Sequence, residues 1–334
     1  MDEQRYQHFP WQNEQWRYLQ QAMAQGRLPH ALLLTGPPGL GKERFALSLA
    51  QSCLCQDRDV SGRPCGVCRH CQLMYSGNHP DLQWVRPEEG SKSGEIKIEA
   101  IRALTAGASL TSHTGGHKVI AIQPAHRMNH AAANSLLKTL EEPTPGTVML
   151  LLTDQPARLL PTIRSRCQQV LFQPPDKQQA LAWLSDRVTH ADPGALLALA
   201  NGAPLKAVTL DDAALLASRG EMLSDFLALG EDRRDPVRLA GQWTPFDRSL
   251  LLEWLAGWVI DLLRLKSGAP SPQLFNRDHA QALQMTADKL NSRALQRYLT
   301  RIYQARRLVD GNLNPQLILE KLLIEWRACS RQAA

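Results

Sequence analysis

A glycine-rich segment at residues 36–43 has the residue types and spacing of a phosphate-binding loop. It reads GPPGLGKE and matches the seven positions of the pattern G-x-x-x-x-G-K. In such a loop Gly36, Gly39 and Gly41 allow backbone N–H groups to surround phosphate, and Lys42 contacts the terminal phosphates. The segment therefore predicts a loop that evolved to hold a nucleotide.

Two positions that magnesium-dependent hydrolysis requires carry other residue types. The position after Lys42 is normally Ser or Thr, whose hydroxyl binds Mg²⁺, but here it is Glu43. An acid is also expected at the end of a neighbouring strand, yet the apolar run 119–122 is followed by Gln123 and Pro124. We therefore expect that this chain does not hydrolyse ATP with Mg²⁺, and whether nucleotide occupies the loop stays open.

Four cysteines have the spacing of a structural metal site. They follow the pattern C-x9-C-x2-C-x2-C and are Cys55, Cys65, Cys68 and Cys71. Four thiolates at such intervals favour tetrahedral zinc without an open position for catalysis. An iron–sulfur signature would need a further Cys-Pro, where this chain has Tyr75. The alternatives are reduced thiols without metal, and Cys53, His70 or His79 in place of one ligand.

The composition is that of a folded globular protein. The chain has 334 residues, of which 43% are hydrophobic and 21% charged, with a net charge of +6. These values exclude a disordered chain and a small disulfide-rich scaffold. The first residues, MDEQRYQHFPW, lack the features of an export signal, and no apolar run is long enough to span a membrane. We therefore expect a cytoplasmic protein with reduced cysteines.

Apolar runs and helical periods alternate in the first half of the chain. Strands are expected at 31–35, 119–122 and 148–153, and helices at 44–54 and 129–142. Strand and helix in alternation are typical of an α/β fold with a doubly wound parallel sheet. The phosphate loop would then join the first strand to the first of these two helices.

The second half of the chain shows helical periods only. We place an α/β domain at 1–172 with the cysteine insertion at 55–71, a small helical domain at 173–211, and a longer all-helical domain at 212–334. The three domains carry net charges of +4, −1 and +3. This mild and distributed excess does not predict a basic patch for autonomous DNA binding.

Three stretches together carry a family resemblance. They are HALLLTGPPGLGK at 30–42, NSLLKTLEEP at 134–143 and TIRSRC at 162–167. With the cysteine insertion, they closely resemble clamp-loader subunits of bacterial DNA polymerase III. These subunits are AAA+ proteins that open a ring-shaped sliding clamp and place it on primed DNA. The resemblance covers nearly the whole chain and implies a helical lid at 173–211 and a helical collar at 212–334.

Within this family the motor subunits, gamma and tau, carry a complete phosphate loop and an acidic second motif. The departures at Glu43 and Gln123 are instead similar to the delta-prime group. The resemblance implies a non-motor component of the polymerase complex without activity of its own. Its implied partners are the gamma/tau motors, the clamp-opening delta subunit, the sliding clamp and primed DNA, with no membrane.

The resemblance also assigns a role to the motif Ser165-Arg166-Cys167. In the family its arginine reaches the ATP site of the neighbouring subunit, so that Arg166 would be an arginine finger acting in trans. The alternative is a surface arginine that pairs with a nearby acid. Thr153 matches the position at which motor subunits sense the gamma-phosphate.

Two other functions remain as alternatives. The first is an AAA+ motor that hydrolyses ATP, against which the missing acid after residue 122 argues. The second is a zinc-bearing DNA-binding module, which would bind DNA alone and in a salt-dependent way.

Overall fold

The computed structural model describes residues 7–59, 62–91, 93–108, 116–268, 270, 274–308 and 314–331. The predicted ranges 1–172, 55–71 and 212–334 therefore each include some residues outside those described. The chain divides into two compact units, Met1–Pro175 and Asp176–Ala334. Among the described helices, none is both long enough and apolar enough to cross a membrane.

The first unit is built on a five-stranded sheet with the strand order β2-β3-β4-β1-β5, in which every pair is parallel. The strands are β1 (Ala31–Thr35), β2 (Leu82–Val85), β3 (Lys118–Ile122), β4 (Thr147–Thr153) and β5 (Gln168–Leu171). The three central strands are buried throughout and are those that their apolar runs predicted. The two edge strands were not predicted, because β2 is only half-buried and β5 buries a single side chain, Val170.

Helices connect these strands. They are α1 (Asn13–Ala24), α2 (Lys42–Leu54), α3 (Arg69–Tyr75), α4 (Ile98–Ala108), α5 (His130–Glu141) and α6 (Pro161–Arg164). On one face of the sheet Leu33 and Leu151 pack in a cluster with Leu136 and Leu140 of α5 and with Ile163 of α6. Successive strand residues point to opposite faces, so each central strand buries its other side chains on the second face. The predicted α/β fold with a doubly wound parallel sheet is confirmed.

The second unit is entirely helical in its described residues. Its helices are α7 (Lys177–Leu184), α8 (Pro193–Leu199), α9 (Pro204–Leu210), α10 (Ala213–Gly230), α11 (Pro236–Trp243), α12 (Arg248–Lys266), α13 (Ala280–Ala287), α14 (Ser292–Leu308) and α15 (Pro315–Ser330). One apolar cluster joins α7, α8 and α9, and a larger one joins the remaining helices. The division of this unit at residue 211 into two domains stays a prediction.

Candidate functional site

The phosphate loop connects β1 to α2, as its sequence predicted. Gly41 is the N-cap residue of α2 with φ +83°, and Gly36 at the end of β1 has φ +145°. A Cβ on Gly36 would lie only 2.2 Å from the carbonyl oxygen of Phe172, so the backbones approach too closely there for a side chain. Glycine is thus needed both for the turn and for packing against the segment after β5.

Lys42, the first residue of α2, turns back onto its own loop. Its Nζ donates hydrogen bonds of 2.6 Å to the carbonyl oxygen of Gly36 and 2.7 Å to that of Pro37. Burial lowers the pKa of Lys42 to about 8, and the nearby charge of Asp154 partly opposes this shift. The ammonium group that would contact phosphate is therefore engaged by backbone oxygens of the loop.

The segment before α1 lies against the phosphate loop. The side chains of Trp11 and Gln12 donate hydrogen bonds of 3.0 and 2.9 Å to the carbonyl oxygen of Leu40. A Cβ on Gly41 would lie 2.4 Å from the ring of Phe9, which is itself buried. This segment thus closes one side of the loop with apolar and hydrogen-bonded contacts.

Glu43 and Gln123, the two residues at which this chain departs from a magnesium site, contact each other. Gln123 Nε2 donates a hydrogen bond of 2.9 Å to Glu43 Oε2, while Arg86 Nη2 forms an ion pair of 2.6 Å with Glu43 Oε1. Gln123 Oε1 in turn accepts from Trp84 Nε1 at 3.2 Å and from Arg86 at 3.4 Å. A guanidinium and an amide therefore satisfy the carboxylate that replaces the magnesium-binding hydroxyl.

The position expected to sense the gamma-phosphate is also engaged within the chain. Thr153 ends β4, and its Oγ1 lies 2.9 Å from Nδ1 of the buried His126 and accepts a hydrogen bond from the Gln155 backbone at 3.0 Å. The same His126 nitrogen lies 3.3 Å from Asp154 Oδ1. The threonine hydroxyl is thus engaged by one side chain and one backbone amide of the same chain.

The four predicted cysteines converge on one point. Their Sγ atoms all lie within 4.8 Å of one another, with Cys55 Sγ 3.6 Å from Cys65 Sγ and 3.9 Å from Cys68 Sγ. A tetrahedral zinc site with bonds of about 2.3 Å requires sulfur separations of about 3.8 Å. The residues present therefore fit a zinc ion.

Backbone N–H groups support thiolates at this cluster. The amides of Cys65 and Cys68 each donate at 3.3 Å, to Cys55 Sγ and to Cys65 Sγ respectively. Burial raises the pKa of Cys68, but hydrogen bonds from the backbone and from neighbouring thiols outweigh it and lower this pKa to about 6. The deprotonated form that binds metal is thus favoured at Cys68, whereas burial raises the pKa of Cys55 and of Cys71.

The alternative ligands lie outside this cluster. Cys53 is buried on α2, and burial raises its pKa to about 12. His70 Nδ1 lies 2.9 Å from His79 Nε2, and the Asp81 amide donates to His79 Nδ1 at 3.1 Å. Because a backbone amide can only donate, His79 Nδ1 accepts, and both of its ring nitrogens are occupied. Of the two cysteines that the sequence left open, Cys55 and not Cys53 belongs to the cluster of four thiols.

The Ser165-Arg166-Cys167 motif follows α6 and has one residue directed inward and one outward. Cys167 is half-buried against the α5–α6 cluster, and burial raises its pKa to about 11. Arg166 is exposed, and its Nη1 donates to the Thr162 carbonyl oxygen at 3.0 Å and lies 3.4 Å from Ser165 Oγ. Its Nη2 forms an ion pair of 2.7 Å with Glu141 Oε1.

Comparisons with known proteins agree with this arrangement. The family described as "DNA polymerase III, delta subunit" matches residues 11–176, and "DNA polymerase III, delta subunit, C terminal" matches 213–328. DNA polymerase III subunit delta-prime of Pseudomonas aeruginosa is 35% identical over 323 residues, covering 95% of this chain and 97% of that protein. The chain belongs to the delta-prime family of DNA polymerase III subunits.

Other relatives are consistent with this family. Subunit delta-prime of Escherichia coli is 33% identical over 95% of this chain and 94% of its own length. Subunit tau of Salmonella typhimurium is 32% identical, but over 61% of this chain and 32% of its own length. The resemblance to subunits of bacterial DNA polymerase III is thereby confirmed, and the chain is a DNA polymerase III clamp-loader subunit that takes part in DNA replication.

Sequence reasoning missed two residues that the fold brings to these sites, and it did not connect a third, Glu141, with Arg166. Arg86 follows β2, a strand that the pattern did not reveal, and His126 lies in a short turn after β3. Glu141 was visible only as part of the LEEP motif, and two acids at the end of a helix were the available signal.

Proposed function

We propose that this chain is a non-motor clamp-loader subunit, which does not hydrolyse ATP and supplies Arg166 in trans to the ATP site of a neighbouring motor subunit. The observation that carries the first half of this proposal is the contact of Glu43 with Gln123 and Arg86. Mg²⁺ needs oxygen ligands that are free to bind it. Here the carboxylate at the hydroxyl position is neutralised by a guanidinium, and no carboxylate stands at position 123 to hold the ion or position water.

The engagement of Lys42 and Thr153 supports the same proposal. Both side chains would have to leave contacts within the chain in order to reach phosphate. Hydrolysis depends on several charged groups acting together on one phosphoryl group, so the loss of metal ligands at two positions removes most of the rate enhancement. We therefore do not expect this chain to hydrolyse ATP with Mg²⁺.

The exposure of Arg166 supports the second half of the proposal. An arginine finger has to lie at the subunit surface and keep donors available for the phosphate of a neighbour. Arg166 meets the first requirement, and its guanidinium has five N–H donors, of which the recorded contacts use three. Two donors therefore remain that phosphate oxygens could accept.

The same proposal names partners and a structural metal. The motors would be gamma or tau, and the assembly would include the delta subunit, the sliding clamp and primed DNA. Zinc held by the four cysteines would fix the segment between α2 and α3, because a four-thiolate site leaves no position for substrate. Its contribution would be to folding and not to a reaction.

The deciding experiment is an ATPase assay with Arg166→Ala in a clamp loader reconstituted from purified subunits. Clamp- and DNA-stimulated hydrolysis should fall, because a finger contributes on the order of 10³–10⁵ in rate at the site it serves. Arg27→Ala, which removes an exposed arginine elsewhere on this unit, is the matched control and should leave the rate unchanged. Wild-type hydrolysis by an intact Arg166→Ala complex would refute the finger.

The isolated chain tests the two alternatives. Magnesium-dependent ATP turnover by the purified chain would favour a motor subunit. Salt-dependent DNA binding by the chain alone would favour a DNA-binding module. The proposal expects neither result.

A further inference from the structure

The ion pair between Arg166 and Glu141 links two motifs that are separated in the chain. Arg166 belongs to the loop after α6, and Glu141 is the last residue of α5. Their side chains meet at 2.7 Å while remaining 36% and 51% exposed. The pair therefore lies at the surface, where a neighbouring subunit can reach it.

The buried residues beneath this pair fix its geometry. Leu136 and Leu140 of α5 pack with Ile163 of α6 in one apolar cluster, and Cys167 packs against the same cluster. Close packing of this kind leaves little freedom for the backbone on either side of Arg166. The position of Glu141 relative to the arginine is thus set by the core.

The location of Glu141 is unfavourable for its own helix. A helix C-terminus carries partial negative charge, so an acid in the last turn is repelled and a cation is preferred. Glu141 and Glu142 both stand at this end of α5. Arg166 is the cation recorded in an ion pair with Glu141, which suggests that this acid serves the arginine and not the helix.

We propose that Glu141 is a positioning residue for Arg166, an inference that rests on the proposed role of Arg166 as a trans arginine finger. Glu141 holds one side of the guanidinium, while the Thr162 carbonyl oxygen and Ser165 Oγ hold another. Two of the five guanidinium donors remain outside these contacts. An arginine held in this way loses less side-chain freedom when it meets phosphate.

The strengths of the two contacts make this arrangement workable. An exposed ion pair is worth up to about a factor of five in an equilibrium constant. The contact of a finger with the transferred phosphoryl group is worth on the order of 10³–10⁵ in rate. Glu141 can therefore orient Arg166 without competing with the phosphate for it.

The test compares Glu141→Ala with Glu142→Ala in the reconstituted clamp loader. Glu142 is an adjacent exposed acid for which the described residues include no recorded ion pair, so it is the matched control. We expect Glu141→Ala to lower kcat for ATP about threefold to fivefold, with the KM of ATP and complex assembly unchanged. Glu142→Ala should keep the wild-type kcat.

A double variant separates positioning from a structural effect. Glu141→Ala added to Arg166→Ala should cause no further loss, because the acid acts only through the arginine. An equal loss in both backgrounds would overturn the inference, as would a wild-type kcat for Glu141→Ala when Arg166→Ala is impaired. If Arg166→Ala itself had no effect, the proposed finger would fail and the inference with it.

Discussion

Gln123 Nε2 lies 2.9 Å from Glu43 Oε2, so the two positions at which this chain departs from a magnesium site are joined by a hydrogen bond. The positions lie 80 residues apart in the chain. They meet because Gln123 follows β3 and the loop before α2 follows β1, and both strands end on the same side of the parallel sheet. The two substitutions therefore form one local network with Arg86 and are not independent losses.

Substitution of the phosphate-loop lysine should have little effect on ATP hydrolysis by the complex. Lys42→Ala in the reconstituted clamp loader should leave ATP hydrolysis within about twofold of wild type, because Lys42 Nζ is bonded to loop carbonyl oxygens. The steady-state ATPase rate of the complex measures this. The equivalent substitution in the motor subunit is the positive control and should stop hydrolysis. A loss of tenfold or more with Lys42→Ala would indicate that this loop works as an ATP site.

Metal analysis should distinguish Cys55 from Cys53. The purified chain should contain about one zinc ion, since four sulfurs converge on one point. Cys55→Ala should lose this ion and lower the melting temperature, because a structural zinc site contributes directly to folding. Cys53→Ala, which removes a buried thiol two residues away, should retain it. Retention of zinc by Cys55→Ala, or a metal-free wild-type chain, would contradict the proposed site.

Two glycines with left-handed backbone should differ in their tolerance of alanine. Gly41→Ala combines a φ of +83° with a Cβ 2.4 Å from the Phe9 ring. It should lower the free energy of unfolding by about 2–3 kcal/mol. Gly26→Ala has a φ of +64° but open space around its Cβ. It should cost only about 1 kcal/mol. Urea unfolding followed by circular dichroism measures both, and equal losses would show that the segment before α1 does not pack on the loop.

Much of the first unit could be predicted from the sequence. The central strands are buried on both faces and read as continuous apolar runs, which is the pattern that makes them visible. The helix expected at 129–142 runs from His130 to Glu141, and Asn129 caps it by accepting a hydrogen bond of 2.8 Å from the Ala132 amide. The edge strand β2 is half-buried at every position, β5 exposes most of its side chains, and neither carries such a pattern.

The candidate sites divide in the same way. Spacing identified the phosphate loop and the four cysteines, because their functional groups follow one another closely in the chain, and the family resemblance identified Arg166. Spacing could not identify Arg86, which pairs with Glu43 from 43 residues away, or His126 beside Thr153. Those pairings depend on which strands are neighbours in the sheet.

The sequence by itself determined the family, the doubly wound sheet and the residue types that make a magnesium site incomplete. Only the tertiary structure decided what replaced that site, which cysteine completes the cluster of four thiols and which acid pairs with Arg166. The physical reason is the distance along the chain between the residues that interact. Helix and strand periods and metal-ligand spacing are local properties of the chain, whereas an ion pair such as Arg166–Glu141 exists only after the core beneath it has packed.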